Sequence, residues 1–267
     1  LRDTLMLGAG HSLRLALAKQ WFWNESARDR RDSPIDDERQ RRHSMQSIEL
    51  IGSFFEGREL SLLTGARAEV ERFDQTLERV RVARDRPELG EISEVEPTTL
   101  GQAALYGQLR VDPLDALSLS LGARVEASPR YGTAAAPRVA IALRPVDTHV
   151  HRVSGGRGYR VPSAKEVGFA FDHSSLGYRV LGNSELLPET SWGLSADASL
   201  RVDRHMELHV SGLANWIDQL IDLRLAPGIG PVAGVADYTY VNVGQARTAG
   251  ATLGARARIS PWLRAEA

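Results

Sequence analysis

The sequence predicts an all-β fold: an antiparallel up-and-down sheet of about twelve strands, built as the wall of a transmembrane β-barrel. Three observations carry this expectation. Polar and apolar residues alternate with a period of two along much of the 267-residue chain, as they do where successive side chains point to opposite faces of a strand. The alternating runs are about 9 to 13 residues long, whereas strands of globular proteins have a mode near 5–6 and a tilted membrane strand needs roughly 9–11. Short and long connections also alternate, which suits a barrel with tight periplasmic turns at one rim and extracellular loops at the other.

In chain order, Leu60, Leu62, Ala66, Ala68 and Val70 oppose Glu59, Ser61, Arg67, Glu69 and Glu71. Leu117, Leu119, Leu121, Ala123 and Val125 oppose Ser118, Ser120, Arg124 and Glu126. The clearest run, Ser191 to Asp203, sets Trp192, Leu194, Ala196, Ala198, Leu200 and Val202 against serines, aspartates and Arg201. Met206, Leu208 and Val210 oppose His205, Glu207, His209 and Ser211, and Ala251, Leu253, Ala255, Ala257 and Ile259 oppose Thr252, Arg256 and Arg258. Arginine keeps to the polar register throughout these runs. On a lipid face it would cost about 2–4 kcal/mol at the bilayer midplane.

Short turns are expected near 8–11, 56–59, 112–115, 144–147, 202–205 and 260–262, and longer loops near 24–45, 75–98, 127–136, 155–190 and 226–237. Six acids and six arginines balance in 25–42, as in a solvated loop. No helix is expected. Trp21, Trp23, Trp216 and Trp262 are placed near strand ends, where an indole suits the membrane interface.

Composition narrows the function. Cysteine is absent, which removes disulfides, thiolate zinc sites and cysteine nucleophiles. The net charge of −1 and the lack of a basic stretch interleaved with aromatics argue against nucleic acid as a partner. Lysine occurs only at Lys19 and Lys165. No apolar run approaches the roughly 20 residues of a membrane helix, and no secretory signal opens the chain. No serine–histidine–acid set, phosphate-cradling loop or carboxylate pair has useful spacing, so an enzyme is not expected.

Three stretches carry a family resemblance. Residues 156–166, Gly-Arg-Gly-Tyr-Arg-Val-Pro-Ser-Ala-Lys-Glu, resemble the GFRAPS-x-x-EL segment of TonB-dependent outer-membrane receptors. Residues 182–191, Gly-Asn-Ser-Glu-Leu-Leu-Pro-Glu-Thr-Ser, resemble that family's GNPDLKPETS segment. Residues 241–250 are similar to its N-x-x-x-A…G-x-E strand. The motif positions are Tyr159, Arg160, Pro162, Glu166, Gly182, Asn183, Glu185, Leu186, Pro188 and Glu189, for which a structural role at the rim is expected. Tyr159 stands for phenylalanine, Val161 for alanine, Ser184 for proline and Glu185 for aspartate.

The resemblance implies a 22-stranded barrel plugged by an amino-terminal domain and energised through the inner-membrane TonB complex. On that reading residues 1–267 are a partial barrel domain, with the plug and the remaining strands outside this chain. A small closed twelve-stranded barrel is the alternative. The implied activity is import of a ferric siderophore, heme, cobalamin or similar bulky nutrient across the outer membrane of a Gram-negative bacterium. A passive pore or a surface-binding barrel is the other function class. No cofactor is expected.

His173 lies between the two loop motifs, where heme receptors of this family carry a heme-ligating histidine; the plainer reading is an ordinary loop histidine. Arg157 and Arg160 are candidates for an anionic iron chelate, because guanidinium matches carboxylate oxygens. Against that stands a purely structural role. His149 and His151 form a His-x-His pair without an identifiable third ligand, and a lumen-facing pair is the expectation.

Overall fold

The computed structural model describes residues 2–8, 10–29, 35–57, 59–83, 86–226, 234–260 and 263–266. It is one antiparallel meander of β1 (Arg2–Gly8), β2 (His11–Asp29), β3 (Ile35–Phe54), β4 (Leu60–Ala83), β5 (Arg86–Leu114), β6 (Leu117–Ser128), β7 (Gly132–Val146) and β8 (His149–Arg160). It continues through β11 (Glu189–Arg201), β12 (Met206–Leu225), β13 (Ala236–Ser260) and β14 (Leu263–Glu266). These are the expected twelve up-and-down strands, with β1 and β14 short. Two more, β9 (Ala170–His173) and β10 (Tyr178–Leu181), arise inside the segment joining β8 to β11. Among the described residues no pairing joins β1 to β14, so the sheet is an open wall rather than a closed barrel.

The chemistry of the two faces is inverted relative to a soluble sheet. Along β6, Leu119, Leu121, Ala123 and Val125 are exposed, while Ser120, Gly122, Arg124 and Glu126 are half-buried. Direct cross-strand partners share a face, so the register extends this division across the wall. One outward row reads Leu62, Leu109, Leu121, Val139, Gly155, Leu194, Ala214 and Ala249. The inner face is polar and paired: Arg152 meets Asp197 at 3.1 Å, Ser154 meets Ser195 at 2.8 Å, and the Tyr106 hydroxyl donates to Glu49 at 2.8 Å. Such a wall suits lipid outside and water or protein inside.

Several loop expectations are corrected. Residues 24–45 and 75–98 lie largely in the upper parts of β2, β3, β4 and β5, which reach 29 residues in β5. Above the bilayer neither face meets lipid, so hydropathy need not alternate there. Cross-strand pairing still holds, as in the ion pair between Arg79 and Asp37 at 2.8 Å. The loop expected at 127–136 shrinks to Pro129–Tyr131 between β6 and β7. At the opposite rim the short turns expected near 8–11, 56–59, 112–115, 144–147 and 202–205 fall as expected, and the one expected near 260–262 lies mostly outside the described residues. In one of them Gly10 has φ +81°, and a Cβ there would lie 2.9 Å from the carbonyl oxygen of Glu56.

Trp21, Trp23 and Trp216 are not at strand ends, because β2 and β12 continue past them. Trp21 and Trp216 each lie ten residues beyond the first residue of their strand at the short-turn rim, and Trp192 lies nine before Arg201 at that rim. At a rise of about 3.3 Å per residue and a tilt near 40° that height is about 25 Å, the height of an apolar membrane band. Trp192 and Trp216 are direct partners, and Trp21 is 73% exposed. Trp262, and most of the loop expected at 226–237, lie outside the described residues.

His149 and His151 do not face the lumen. His151 is registered with Leu143 and Ala198 and His149 with Leu200, all in the outward apolar set, and the two rings stack 6.4 Å apart.

Candidate functional site

The segment between β8 and β11 does not loop out into solvent; it folds over the inner face. It contains α1 (Ala164–Gly168), the hairpin of β9 and β10, and a 3₁₀ turn at Ser174–Leu176. No helix was expected, yet Ser163-Ala-Lys-Glu166 spells a capping box. The Ser163 side chain accepts from the Glu166 amide at 3.3 Å, and Glu166 accepts from the Ser163 amide at 2.8 Å, satisfying two amides that the helix start leaves unpaired. That signal was readable in the sequence.

This segment bridges the wall. On one side Phe169 pairs with Val95 of β5. On the other, β10 runs parallel to β13, Tyr178–Leu181 against Ala236–Thr239. Val95, Phe169 and Val180 form a small buried core, with Phe73, Phe171, Tyr178, Tyr238 and Tyr240 packed around it. Nearly all the buried apolar residues among those described belong to this segment or to the strand tops it touches.

One polar network fastens it, and a second lies in the wall strands it covers. Arg160 donates two hydrogen bonds to Glu189 (both 2.7 Å) and two to Glu166 (3.0 and 3.2 Å), so one guanidinium joins the two loop motifs. Glu189 also accepts from the Ile221 amide at 2.7 Å. All three groups lie above the apolar band. The Arg160 bonds, with help from the Ile221 amide, hold the Glu189 carboxyl below its ordinary range. Burial pushes Glu166 up, but Arg160 and Ser163 outweigh it and hold it low as well. The same carboxylates raise the Arg160 guanidinium further above its ordinary value.

In the second network Glu94, fully buried, accepts from Arg39 at 3.0 and 3.1 Å and from Gln75 at 2.6 Å, and Gln75 accepts from Arg41 at 2.9 Å. The Arg39 guanidinium lies 4.9 Å from the Phe171 ring centroid. Nothing in the sequence pointed to Glu94, because its importance arises only when the bridging segment covers it.

The remaining motif residues converge on the same place. Gly182 approaches the backbone of α1 so closely that a Cβ would lie 2.8 Å from the Gly168 nitrogen and from the Val167 carbonyl carbon. The Asn183 amide nitrogen of the side chain donates to the Tyr240 carbonyl at 3.0 Å, and Asn183 Oδ1 accepts from the amide of exposed Glu185 at 2.9 Å. Pro162 and Leu186 are buried and Pro188 is half-buried. Asn242, in the third stretch, brackets Leu187 with two bonds of 2.9 Å and donates a third to the Gln219 carbonyl at 2.8 Å. Tyr159 is half-buried, and its hydroxyl has no hydrogen-bond partner among the described residues.

The ligand candidates separate. His173 sits on β9 with Nδ1 2.9 Å from the Tyr178 hydroxyl and its ring centroid 4.0 Å from that of Phe171, inside the aromatic packing. Arg157 stands apart: its direct partner is Trp192 on the outward face, and it donates to the Ala135 carbonyl at 3.3 Å. Below the bridge the inner face has a recess of about 290 Å³, floored by Gly156, Gly158 and Gly193 and edged by Arg138, Ser195 and Asn215. Among the described residues no cluster of three metal-ligating side chains is found.

The model of a family described as TonB dependent receptor-like, beta-barrel matches residues 7–266. No match is found among curated protein sequences. Among solved structures the chain is similar to a copper transporter, OprC (TM-score 0.76, 13% identity), covering 97% of this chain and 42% of that one. It is also similar to the siderophore receptor PirA from Pseudomonas aeruginosa (TM-score 0.61, 12% identity; 98% and 60% covered). A third is the Serratia marcescens hemophore receptor HasR, solved with its hemophore and heme (TM-score 0.53, 13% identity; 94% and 47% covered). The chain thus spans less than two thirds of the length of each, and at these identities the likeness is one of fold.

Proposed function

Because this chain belongs to the TonB-dependent receptor-like β-barrel family, we propose that it is the wall segment of a receptor importing a bulky nutrient across the outer membrane. The ligand class is a ferric siderophore, heme, cobalamin or a comparable chelate. Energy would come from the TonB complex through a plug domain outside this chain. The observation that carries the reading is the bridging segment: Arg160 and Asn242 tie the three motif stretches together where it meets the wall. TonB dependence of uptake is what separates this reading from a passive pore, whose lumen can also hold an inward-folded segment.

We assign Arg160, Glu166, Gly182, Asn183 and Glu189 to holding this bridge, and Tyr159, Pro162, Glu185, Leu186 and Pro188 to its packing and turns. His173 is read as part of the aromatic packing, and Arg157 as an interfacial anchor beside Trp192. The recess edged by Arg138 and Asn215 is then the inner-face position best suited to an anionic chelate.

Uptake of a panel of ferric chelates, heme and cobalamin by cells expressing the full-length protein tests the proposal. Accumulation of one of them should depend on TonB, and equal uptake in a strain lacking TonB would support a passive pore instead. A His173→Ala receptor should keep its heme affinity; loss of heme binding in a folded variant would make His173 a ligand after all.

A further inference from the structure

The outward face of β2–β6 has a feature that transport does not use. Leu15, Leu50, Ala66, Leu105 and Val125 form one cross-strand row, and Leu17, Ile48, Ala68, Ala103 and Ala127 form the next. The alanines make a floor between larger side chains. The result is an apolar hollow of about 550 Å³ and, adjoining it, a mixed one of about 650 Å³ that also takes in Lys19 and Gln46; the two share Ile48 and Ala68.

Directly above them the outward register turns cationic. Lys19 is registered with Gln46 and Val70, Trp21 with Ser44 and Arg72, and Trp23 with Arg42 and Asp74. Lys19, Arg42 and Arg72 are all exposed, and among the described residues none of the three side chains forms an ion pair. Asp74, half-buried opposite Arg42, is the carboxylate on this patch. From strand spacing and rise, the three cations stand roughly 8–14 Å apart at Cβ, within joint reach of one headgroup. They sit at the level of Trp21, where the apolar band ends.

We propose that this surface binds a phosphate-bearing, multiply acylated lipid of the outer leaflet. The acyl chains would lie in the hollows, with the phosphates among Lys19, Arg42 and Arg72. The charge pattern selects this occupant: a second copy of the chain would bring like charges together, and a neutral lipid would leave three cations uncompensated. Arginine suits phosphate oxygens through paired donors. The inference rests on the outer-membrane placement proposed above.

The test uses the purified full-length receptor and native mass spectrometry. A bis-phosphorylated, multiply acylated glycolipid should be retained, its dephosphorylated counterpart should be retained poorly, and inorganic phosphate should not displace it. The triple variant Lys19→Ala, Arg42→Ala, Arg72→Ala should lose retention by about tenfold or more, while Arg204→Ala, on a turn at the opposite rim, should keep it. Heat-modifiable migration confirms that the triple variant is folded. Ala68→Trp, which fills the shared floor, should also lose the lipid with the charges intact. Undiminished retention by the folded triple variant, or equal retention of the dephosphorylated lipid, overturns the proposal. Quenching of tryptophan fluorescence by brominated-chain phospholipid separates the two readings. No quenching removes the membrane placement itself, whereas quenching with unchanged lipid retention removes only this site.

Discussion

Arg160 and Gly182 hold the bridge for different reasons, and their variants should fail differently. Arg160 organises two carboxylates, so Arg160→Ala leaves Glu166 and Glu189 facing each other without a counter-charge. The expected loss is about 1–2 kcal/mol, kept modest because the Arg160 side chain is 44% exposed and solvent screens part of the attraction. Both carboxyls titrate below their ordinary value of 4.5 in the folded protein. Their contribution is therefore complete above that pH and is lost as pH falls through the lowered folded values. Thermal melts between neutral pH and pH 3 should show this loss, and Glu166→Gln combined with Glu189→Gln should flatten it. Gly182→Ala acts through volume instead. Its methyl meets backbone rather than a flexible side chain, so about 1–3 kcal/mol of overpacking is expected, with no dependence on pH.

At the scale of elements, legibility followed the solvent. Where a strand crosses lipid, the bilayer demands one apolar face, and runs such as Trp192–Val202 announced themselves. Above the bilayer the demand lapses; β2 continues over 25–29 and β3 begins by Ile35, both within the charge-balanced stretch 25–42, which reads in sequence like a loop. The bridge was half legible. Family resemblance marked Arg160, Asn183 and Glu189, and Ser163-x-x-Glu166 spelled a cap, but no local pattern could show that Phe169 would pair with Val95 and cover Glu94. Glu94 offers the sharper test. Its side chain is fully buried and Arg39 is 13% exposed, so Glu94→Ala leaves the arginine poorly solvated, at an expected cost of about 3 kcal/mol. Limited proteolysis should then cut the segment 161–188 while leaving the wall strands intact; an unchanged cleavage pattern would mean that the aromatic core and the Arg160 and Asn242 bonds hold the bridge without Glu94.

For the whole molecule, the inverted faces set what the protein tolerates. Leu121 and Ser120 are neighbours in β6, yet Leu121 is 63% exposed toward the outside and Ser120 is turned inward. Leu121→Arg should cost about 2–4 kcal/mol of membrane stability, and Ser120→Arg close to nothing. Heat-modifiable migration of the two variants in the full-length protein measures the contrast, and equal tolerance would mean that this face does not meet lipid.

The parallel pairing of β10 with β13 has a further consequence, in time rather than in space. Tyr178 meets Ala236, a partner 58 positions later in the chain (236 − 178), and β11 and β12 must be laid down between them. Contacts of such long sequence separation form late, because the intervening chain has to be ordered before they repay its entropy. The hairpin of β9 and β10 can therefore seat only after the wall beyond it exists. Until then the lumen stays open, and the crossing is set last, as a latch thrown once both doorposts are standing.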